Sequence, residues 1–190
     1  MGKKVLIVYH SNYGYVAQIA NFIKDRLLEK GLAVVTVDVI RSQNIEVYPL
    51  EQYSGIILGV NQGLWELKKL KKSFLKEDLP YYKKQQHSVG YFENVVNPGP
   101  LLRKDKNEQR SRKYLKKKLG FIPDLVEIFK PVLDFSPFSP LERDELVLTK
   151  SFTRLVMRKS GIVIDYKGCN DFRDWDNISS FADKFIALLK

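Results

Sequence analysis

Residues 3–20 read KKVLIVYHSNYGYVAQIA and contain an apolar run, a short polar segment and the beginning of a helical pattern. The run over Lys4–Tyr9 is rich in β-branched residues, which is typical of a buried parallel strand. The helical pattern begins at Tyr15, so a tight polar loop joins this strand directly to a helix N-terminus. Backbone N–H groups and the positive end of the helix dipole converge at such a junction, which predicts an anion site, usually for phosphate.

Strand and helix patterns alternate along the rest of the chain. Further strands are predicted at Ala33–Ile40, Gly55–Val60, Ser88–Phe92 and Asp124–Phe135, the last with Pro131 at a bulge or an edge. Helices are predicted at Tyr15–Lys30, Leu64–Phe74, Leu101–Leu119, Leu146–Met157 and Trp175–Leu189, and loops at Glu93–Pro100, Ser136–Pro140 and Ser160–Arg173. Gly31 is the expected C-cap of the first helix, and Asp174 the expected N-cap of the last.

This alternation predicts an α/β fold, a doubly wound five-stranded parallel sheet of order 2-1-3-4-5 with helices on both faces. In that fold ligands bind at the carboxyl ends of the strands, at the switch point between strands one and three. Three predicted loops meet there: His10–Tyr15, Asn61–Trp65 and Glu93–Gly99. We expect a single domain over residues 1–190, with basic insertions around residues 101–160.

Composition narrows the classes of protein to consider. The single cysteine, Cys169, excludes an internal disulfide framework and a multi-cysteine metal site, and two histidines make a structural zinc site unexpected. The N-terminal residues lack the design of a signal peptide, and no apolar run is long enough to span a bilayer. We therefore expect the protein in the cytosol or at the cytoplasmic face of a membrane. Its net charge of +10 favours anionic partners.

The sequence lacks the patterns of three common classes of protein that bind or accept phosphate at this position of the fold. The sequence has no G-x-x-x-x-G-K-[ST] motif and no G-x-G-x-x-G motif, which excludes P-loop nucleotidases and leaves a dinucleotide turn unsupported. A receiver domain needs acidic residues at the ends of strands one and three, where this chain has Tyr9-His10 and Gly59-Val60. These exclusions leave a flavin mononucleotide (FMN) site as the interpretation of the loop.

Three segments carry a resemblance to a known family. VLIVYHSNYGYVAQIA resembles the phosphate loop of flavodoxins, and Gly59–Gly63 resembles the second loop of a flavodoxin-like subgroup that includes the menaquinone-dependent protoporphyrinogen dehydrogenases. The C-terminal region is similar to the same subgroup in its Lys159-Ser160-Gly161, Asp174-Trp175 and Phe181-Ala182 sequences. The resemblance covers essentially the whole chain and implies a flavodoxin-like fold that binds FMN.

The resemblance also implies which residues hold the flavin. They are Ser11, Asn12, Tyr13, Gly14, Tyr15 and Val16 in the first loop, Asn61, Gln62, Gly63, Leu64 and Trp65 in the second, and Glu93, Asn94 and Val95 in the third. Trp65 either stacks on the flavin ring or packs in the core, and Tyr13, Tyr15 and Tyr91 compete for the stacking position. Phe92 is expected in the core. The flavin would carry the electrons, so no catalytic side chain and no metal are expected.

Two positions depart from the pattern of the family. Val16 stands where flavodoxins usually have a threonine whose hydroxyl contacts the phosphate. Loss of one hydroxyl to a dianion costs about 1.5–3 kcal/mol, roughly one to two decades in affinity. Gln62-Gly63-Leu64 replaces the arginine-bearing sequence typical of the protoporphyrinogen enzymes. The sequence alone therefore leaves three functions open: an oxidoreductase of that kind, an electron carrier without its own substrate, and a flavin-free scaffold.

The segment Arg103–Lys118 holds nine lysines and arginines and two acidic residues. It is interpreted either as a solvated helix face or as a docking surface for an anionic partner. Partners considered for the protein are an anionic membrane surface, a tetrapyrrole with its propionates, a quinone and an acidic redox protein. Nucleic acid is not expected, because no nucleic-acid-binding motif is present and Tyr114 is the only aromatic residue within the run.

Overall fold

A computed structural model of the chain describes residues 2–40, 49–61, 78–95, 101, 104–158 and 160–190. The seven strands are β1 (Lys4–His10), β2 (Ala33–Asp38), β3 (Gly55–Val60), β4 (Ser88–Asn94), β5 (Leu125–Phe129), β6 (Val132–Asp134) and β7 (Cys169–Asp171). The helices are α1 (Tyr15–Glu29), α2 (Asp78–Lys84), α3 (Lys104–Leu119), α4 (Arg143–Met157) and α5 (Trp175–Leu188), with a short 3-10 turn at Leu50–Gln52. The helix predicted at Leu64–Phe74 lies outside the described residues.

The main sheet has the strand order β2-β1-β3-β4-β5, and every neighbouring pair of strands is parallel. This confirms the doubly wound α/β sheet predicted from the sequence. β3 lies in the middle of the sheet, and all of its residues are buried. Its nearly continuous apolar sequence suits that position, because helices cover a parallel sheet on both faces.

Helices cover the sheet on both faces and form two cores. Buried residues of α1 and α5 share one apolar cluster with Val5 and Ile7 of β1, and α2 and α3 cover the opposite face through Leu79, Tyr82, Leu115 and Leu119. The ring of Phe185 in α5 lies against two glycines of the sheet. A Cβ atom added to Gly55 would lie 2.8 Å from Phe185 Cζ, and one added to Gly90 would lie 3.0 Å from Phe185 Cδ2. These glycines therefore let α5 approach the backbone of β3 and β4 closely.

The N-cap predicted at Asp174 is confirmed, whereas the C-cap of α1 is Lys30, one residue before the predicted Gly31. Gly31 follows the C-cap of α1 with a φ of +76°, a conformation that favours glycine. The carboxylate of Asp174 accepts a hydrogen bond from the backbone N–H of Asn177 at 3.0 Å. α4 begins at Arg143, three residues before the predicted start, because Glu142 and Glu145 form a capping box that extends the helix by one turn.

The strand predicted at Asp124–Phe135 was wrong as a single element, because Pro131 divides it. β5 ends at Phe129 and belongs to the main sheet, whereas β6 pairs antiparallel with β7 in a separate two-stranded sheet. Proline has no N–H group and cannot continue the ladder of hydrogen bonds. β7 lies within the segment that was predicted to be a loop. Its neighbour Phe172 donates its backbone N–H to the Pro131 carbonyl at 3.1 Å.

The ends of two other strands differ from the prediction. β4 continues through Glu93 and Asn94, which were predicted to begin a loop, because both residues pair with β5. β2 ends at Asp38 instead of Ile40, because the Asp38 carboxylate accepts the N–H of Ile40 at 3.0 Å and turns the chain. Within the described part of the chain, no helix is both long enough and apolar enough to cross a membrane.

Candidate functional site

The three predicted site loops begin side by side at one edge of the sheet. In the register of the parallel strands, His10 of β1 lies beside Val60 of β3, and Val60 lies beside Glu93 of β4. Ser11, Asn61 and Asn94, the next residue after each of these, therefore occupy adjacent positions at the carboxyl end of the sheet. Because β1 also pairs with β2, this edge includes the point where the strand order reverses, which is where doubly wound folds bind ligands.

The first loop turns sharply from β1 into α1. Gly14 is the N-cap residue of α1 and has a φ of +81°, a left-handed conformation that other residues rarely adopt. The Ser11 hydroxyl oxygen accepts a hydrogen bond from the backbone N–H of Ala17 at 3.1 Å, which ties the loop to the first helical turn. The first turn of α1 contains no acidic residue. The positive end of the helix dipole is therefore not offset by a carboxylate from that turn.

Tyr15 and Val16 of this loop are turned inward. Val16 is fully buried in the core formed with α5, so its side chain supports the helix and lies away from the surface. The hydroxyl of Tyr15 donates to Asp134 Oδ2 of β6 at 3.2 Å. Burial and the neighbouring Asp134 carboxylate raise the pKa of Tyr15 well above its ordinary value, so the phenol remains protonated and can continue to donate.

Contacts with the C-terminal third of the chain brace the first loop. The Tyr13 hydroxyl donates to Glu145 of α4 at 3.1 Å. Arg173, whose side chain is 8% exposed, donates to Gln18 at 2.7 Å, and its guanidinium lies 5.8 Å from the Tyr15 ring centre. Burial alone would raise the pKa of Asp171, but hydrogen bonds from Arg173 outweigh it and hold this pKa below its usual range.

The sequence did not predict these contacts between the first loop and the C-terminal third of the chain. Arg173 was placed in a loop with no assigned role, and Asp134 in the interior of a strand. The spacing of Asp171, Arg173 and Asp174 offers only a weak signal, because alternating charges before a helix are common at surfaces. The pairing of β6 with β7 joins the segments that carry Asp134 and Arg173, and α5, which begins at Trp175, packs on α1.

The second loop is described only at its first residue. Asn61 directly follows β3 and is 1% exposed. Gln62, Gly63, Leu64 and Trp65, the other predicted residues of this loop, lie outside the described residues.

The third group, Glu93, Asn94 and Val95, is buried. The Glu93 carboxylate accepts hydrogen bonds from Tyr91 at 3.2 Å and from Ser111 of α3 at 3.1 Å, so this side chain anchors α3 to the sheet. Asn94 donates from Nδ2 to the Lys130 carbonyl at 2.8 Å. Its Oδ1 atom is buried and has no hydrogen-bond partner among the residues that the structure describes.

These groups are of the chemical type that an FMN molecule requires. The helix N-terminus and the Ser11 hydroxyl supply donors suited to a phosphate. The Asn94 oxygen supplies a buried acceptor at the strand end where the third loop begins. Among the described residues, no group of histidine, cysteine, aspartate or glutamate side chains could hold a metal ion.

Comparison with solved structures finds relatives of low sequence identity. The chain is similar to NAD(P)H:quinone oxidoreductase from Methanothermobacter marburgensis, with a TM-score of 0.50 and 10% identity, covering 87% of this chain and 99% of that one. Oxidised flavodoxin 1 from Bacillus cereus gives a TM-score of 0.45 and 14% identity, with 99% of this chain and 100% of that chain covered. A short-chain flavodoxin associated with a non-canonical PDU bacterial microcompartment gives a TM-score of 0.47 and 13% identity, with 99% of each chain covered.

A comparison with curated proteins finds no match to the chain. A comparison with models of protein families does identify a family. The sequence model of the flavodoxin domain, Flavodoxin_5, matches residues 6–154, which is well over half of the chain and includes most of β1, all of α1 and the residues of the three predicted site loops. Together with the strand order, this match shows that the chain belongs to the flavodoxin domain family.

Proposed function

We propose that this chain is an FMN-binding redox protein whose phosphate loop is formed by residues 11–16. The observation that carries the proposal is the junction between β1 and α1. It combines the Ser11 hydroxyl, a left-handed Gly14 and a helix N-terminus without an acidic residue in its first turn. Membership of the flavodoxin domain family supports a flavin as the phosphate-bearing ligand.

Each of the three loops would contact a different part of the flavin. Ser11, Asn12, Tyr13 and the backbone amides around Gly14 would bind the phosphate, with Tyr15 and Val16 supporting them from the core. Asn61, Gln62, Gly63, Leu64 and Trp65 would line one side of the ring, and Glu93, Asn94 and Val95 its edge. When bound, the flavin supplies the redox chemistry by accepting and releasing electrons. The chain's own task is to bind and orient it and to exclude water.

The proposal is tested by retention of flavin. Purified protein that has been incubated with FMN and passed through gel filtration should show the absorbance bands of an oxidised flavin. Protein that emerges colourless would contradict it and would leave a flavin-free scaffold as the remaining function.

For the reaction, we propose an oxidoreductase similar to the protoporphyrinogen dehydrogenases, with a tetrapyrrole as reductant and a quinone as acceptor. The support is the resemblance of the Gly59–Gly63 loop and of the Asp174-Trp175 region. Protein loaded with FMN should oxidise protoporphyrinogen when a quinone is supplied. Flavin-loaded protein that fails to do so, yet exchanges electrons with a flavodoxin reductase, would be an electron carrier without its own substrate.

We also propose that the basic surface of α3 docks an anionic partner, either an acidic redox protein or an anionic membrane. Leu115 and Leu119 are buried, so α3 turns its apolar side to the sheet. Lys116 and Lys117 are exposed, and Lys118 is partly exposed.

Charge reversal of these three lysines to glutamate is expected to lower the salt concentration at which the protein elutes from heparin, used as a soluble polyanion. Each basic residue near an anionic surface contributes about 1 kcal/mol. The control is the same reversal at Lys30, Lys84 and Lys184, which are exposed on other helices or at their ends. Equal shifts in both variants would show that only the net charge matters and that α3 has no docking role.

A further inference from the structure

Exposed apolar side chains are concentrated between residues 138 and 163. The five most exposed large apolar residues in the described part of the chain all lie there. They are Phe138 at 93%, Val163 at 90%, Leu155 at 75%, Leu148 at 69% and Val147 at 57%. Single exposed apolar residues are ordinary on a protein surface, but a concentration of this kind indicates a contact surface.

Three of the exposed apolar residues form a stripe along α4. Leu148, Phe152 and Leu155 follow the spacing i, i+4, i+7 and therefore share one side of the helix. Only Thr153 and Met157 of α4 are buried. α4 thus directs its most apolar stripe away from the rest of the protein, which is the reverse of an ordinary amphipathic helix on a core.

Cations flank this stripe. Residues 146–164 read LVLTKSFTRLVMRKSGIVI and contain four lysines and arginines and no acidic residue. Arg143, Arg154 and Arg158 are exposed and lie along one flank of the stripe at helical spacing. The Arg154 guanidinium lies 4.9 Å from the centre of the Tyr166 ring. The acidic residues Glu142, Asp144 and Glu145 are confined to the N-terminal end of α4.

We propose that α4 binds an anionic lipid surface and lies in the plane of the interface. An apolar stripe bordered by arginines suits this position, because the apolar side chains enter the acyl boundary while the cations stay with the headgroups. A second copy of the chain fits less well. Two molecules with a net charge of +10 repel each other, whereas the same charge attracts an anionic membrane. The proposal does not depend on the flavin.

The test is cosedimentation with vesicles of phosphatidylcholine and phosphatidylglycerol, compared with vesicles of phosphatidylcholine alone. The wild-type protein should bind the anionic vesicles more strongly. The double variant Leu148→Gln and Leu155→Gln should bind them at least about tenfold more weakly, because two exposed apolar side chains no longer insert. The matched control is Leu28→Gln on α1, a leucine that is 48% exposed outside the stripe. This control should bind like the wild type.

Two results would overturn the proposal. The first is unchanged binding of the double variant to anionic vesicles; if reversal of Lys116, Lys117 and Lys118 then abolishes binding, the lipid contact belongs to α3. The second is wild-type protein that binds neither kind of vesicle; if it sediments as a dimer and the double variant as a monomer, the stripe is a contact between two copies of the chain. Unfolding by heat, recorded for each variant, should match the wild type because both leucines are exposed.

Discussion

Phe185→Ala is expected to lower the free energy of unfolding by about 3–5 kcal/mol, a large part of the stability of a typical domain. Phe185 is fully buried and belongs to the core shared by α1 and α5. Its ring lies so close to Gly55 and Gly90 that neither glycine could carry a side chain without displacing it. The rigid sheet backbone cannot collapse into the space left by the ring, which places the cost near the upper end of the range. Urea denaturation followed by circular dichroism measures it.

Phe138→Ala is the matched control, because it removes the same ring from a site that is 93% exposed. Its free energy of unfolding should stay within about 0.5 kcal/mol of the wild type. Similar losses in the two variants would contradict the packing of α5 on β3 and β4. A small loss for Phe185→Ala would do the same.

Ser11→Ala is expected to weaken binding of FMN about tenfold to a hundredfold and to leave binding of riboflavin nearly unchanged. The proposed site gives the phosphate one hydroxyl from Ser11, and a hydrogen bond to a charged group contributes about 1.5–3 kcal/mol. Riboflavin has the same ring and no phosphate. The ratio of the two dissociation constants therefore isolates the phosphate contact from any effect on the ring.

The variant has a second effect that must be separated from the first. The Ser11 hydroxyl also accepts the N–H of Ala17, so its loss should cost about 1 kcal/mol of helix stability. Ser11→Thr keeps the hydroxyl and should keep most of the affinity for FMN. Equal weakening of FMN and riboflavin by Ser11→Ala would mean that the loop acts on stability alone and does not bind phosphate.

The parts of the fold predicted correctly are those with long, regular patterns. β1, α1 and β3 were placed to within about a residue, because a continuous apolar strand and a helical repeat each leave a clear periodicity. The strand order then followed from the alternation of strands and helices. The site edge could be predicted for the same reason, since the carboxyl ends of parallel strands meet in one place.

The parts that were missed depend on contacts between distant segments. β6 and β7 contain three residues each, too few for any periodicity, and each exists only because the other pairs with it. Glu93 and Asn94 have the polar character of a loop, but β5 pairs with both residues. Ser111 donates to the Glu93 carboxylate, and Asn94 Nδ2 donates to the Lys130 carbonyl. The contact of Tyr15 with Asp134 of β6, and that of Arg173, which lies between β7 and α5, with Gln18, join segments that are far apart in the sequence.

α4 shows a different limit of sequence reasoning. Its helical pattern was recognised, although its start was placed three residues late because glutamate is an unusual N-cap. Apolar periodicity says that a helix has an apolar side but not what that side contacts. Only the exposure of Leu148 and Leu155 shows that the stripe lies on the surface.

Binding of flavin is tested most directly by titrating FMN with the purified protein and following the fluorescence of the flavin. We expect saturable quenching with one FMN per chain, and binding that is stronger for FMN than for riboflavin. Flavin fluorescence that stays unchanged at every protein concentration would contradict the proposed binding of FMN.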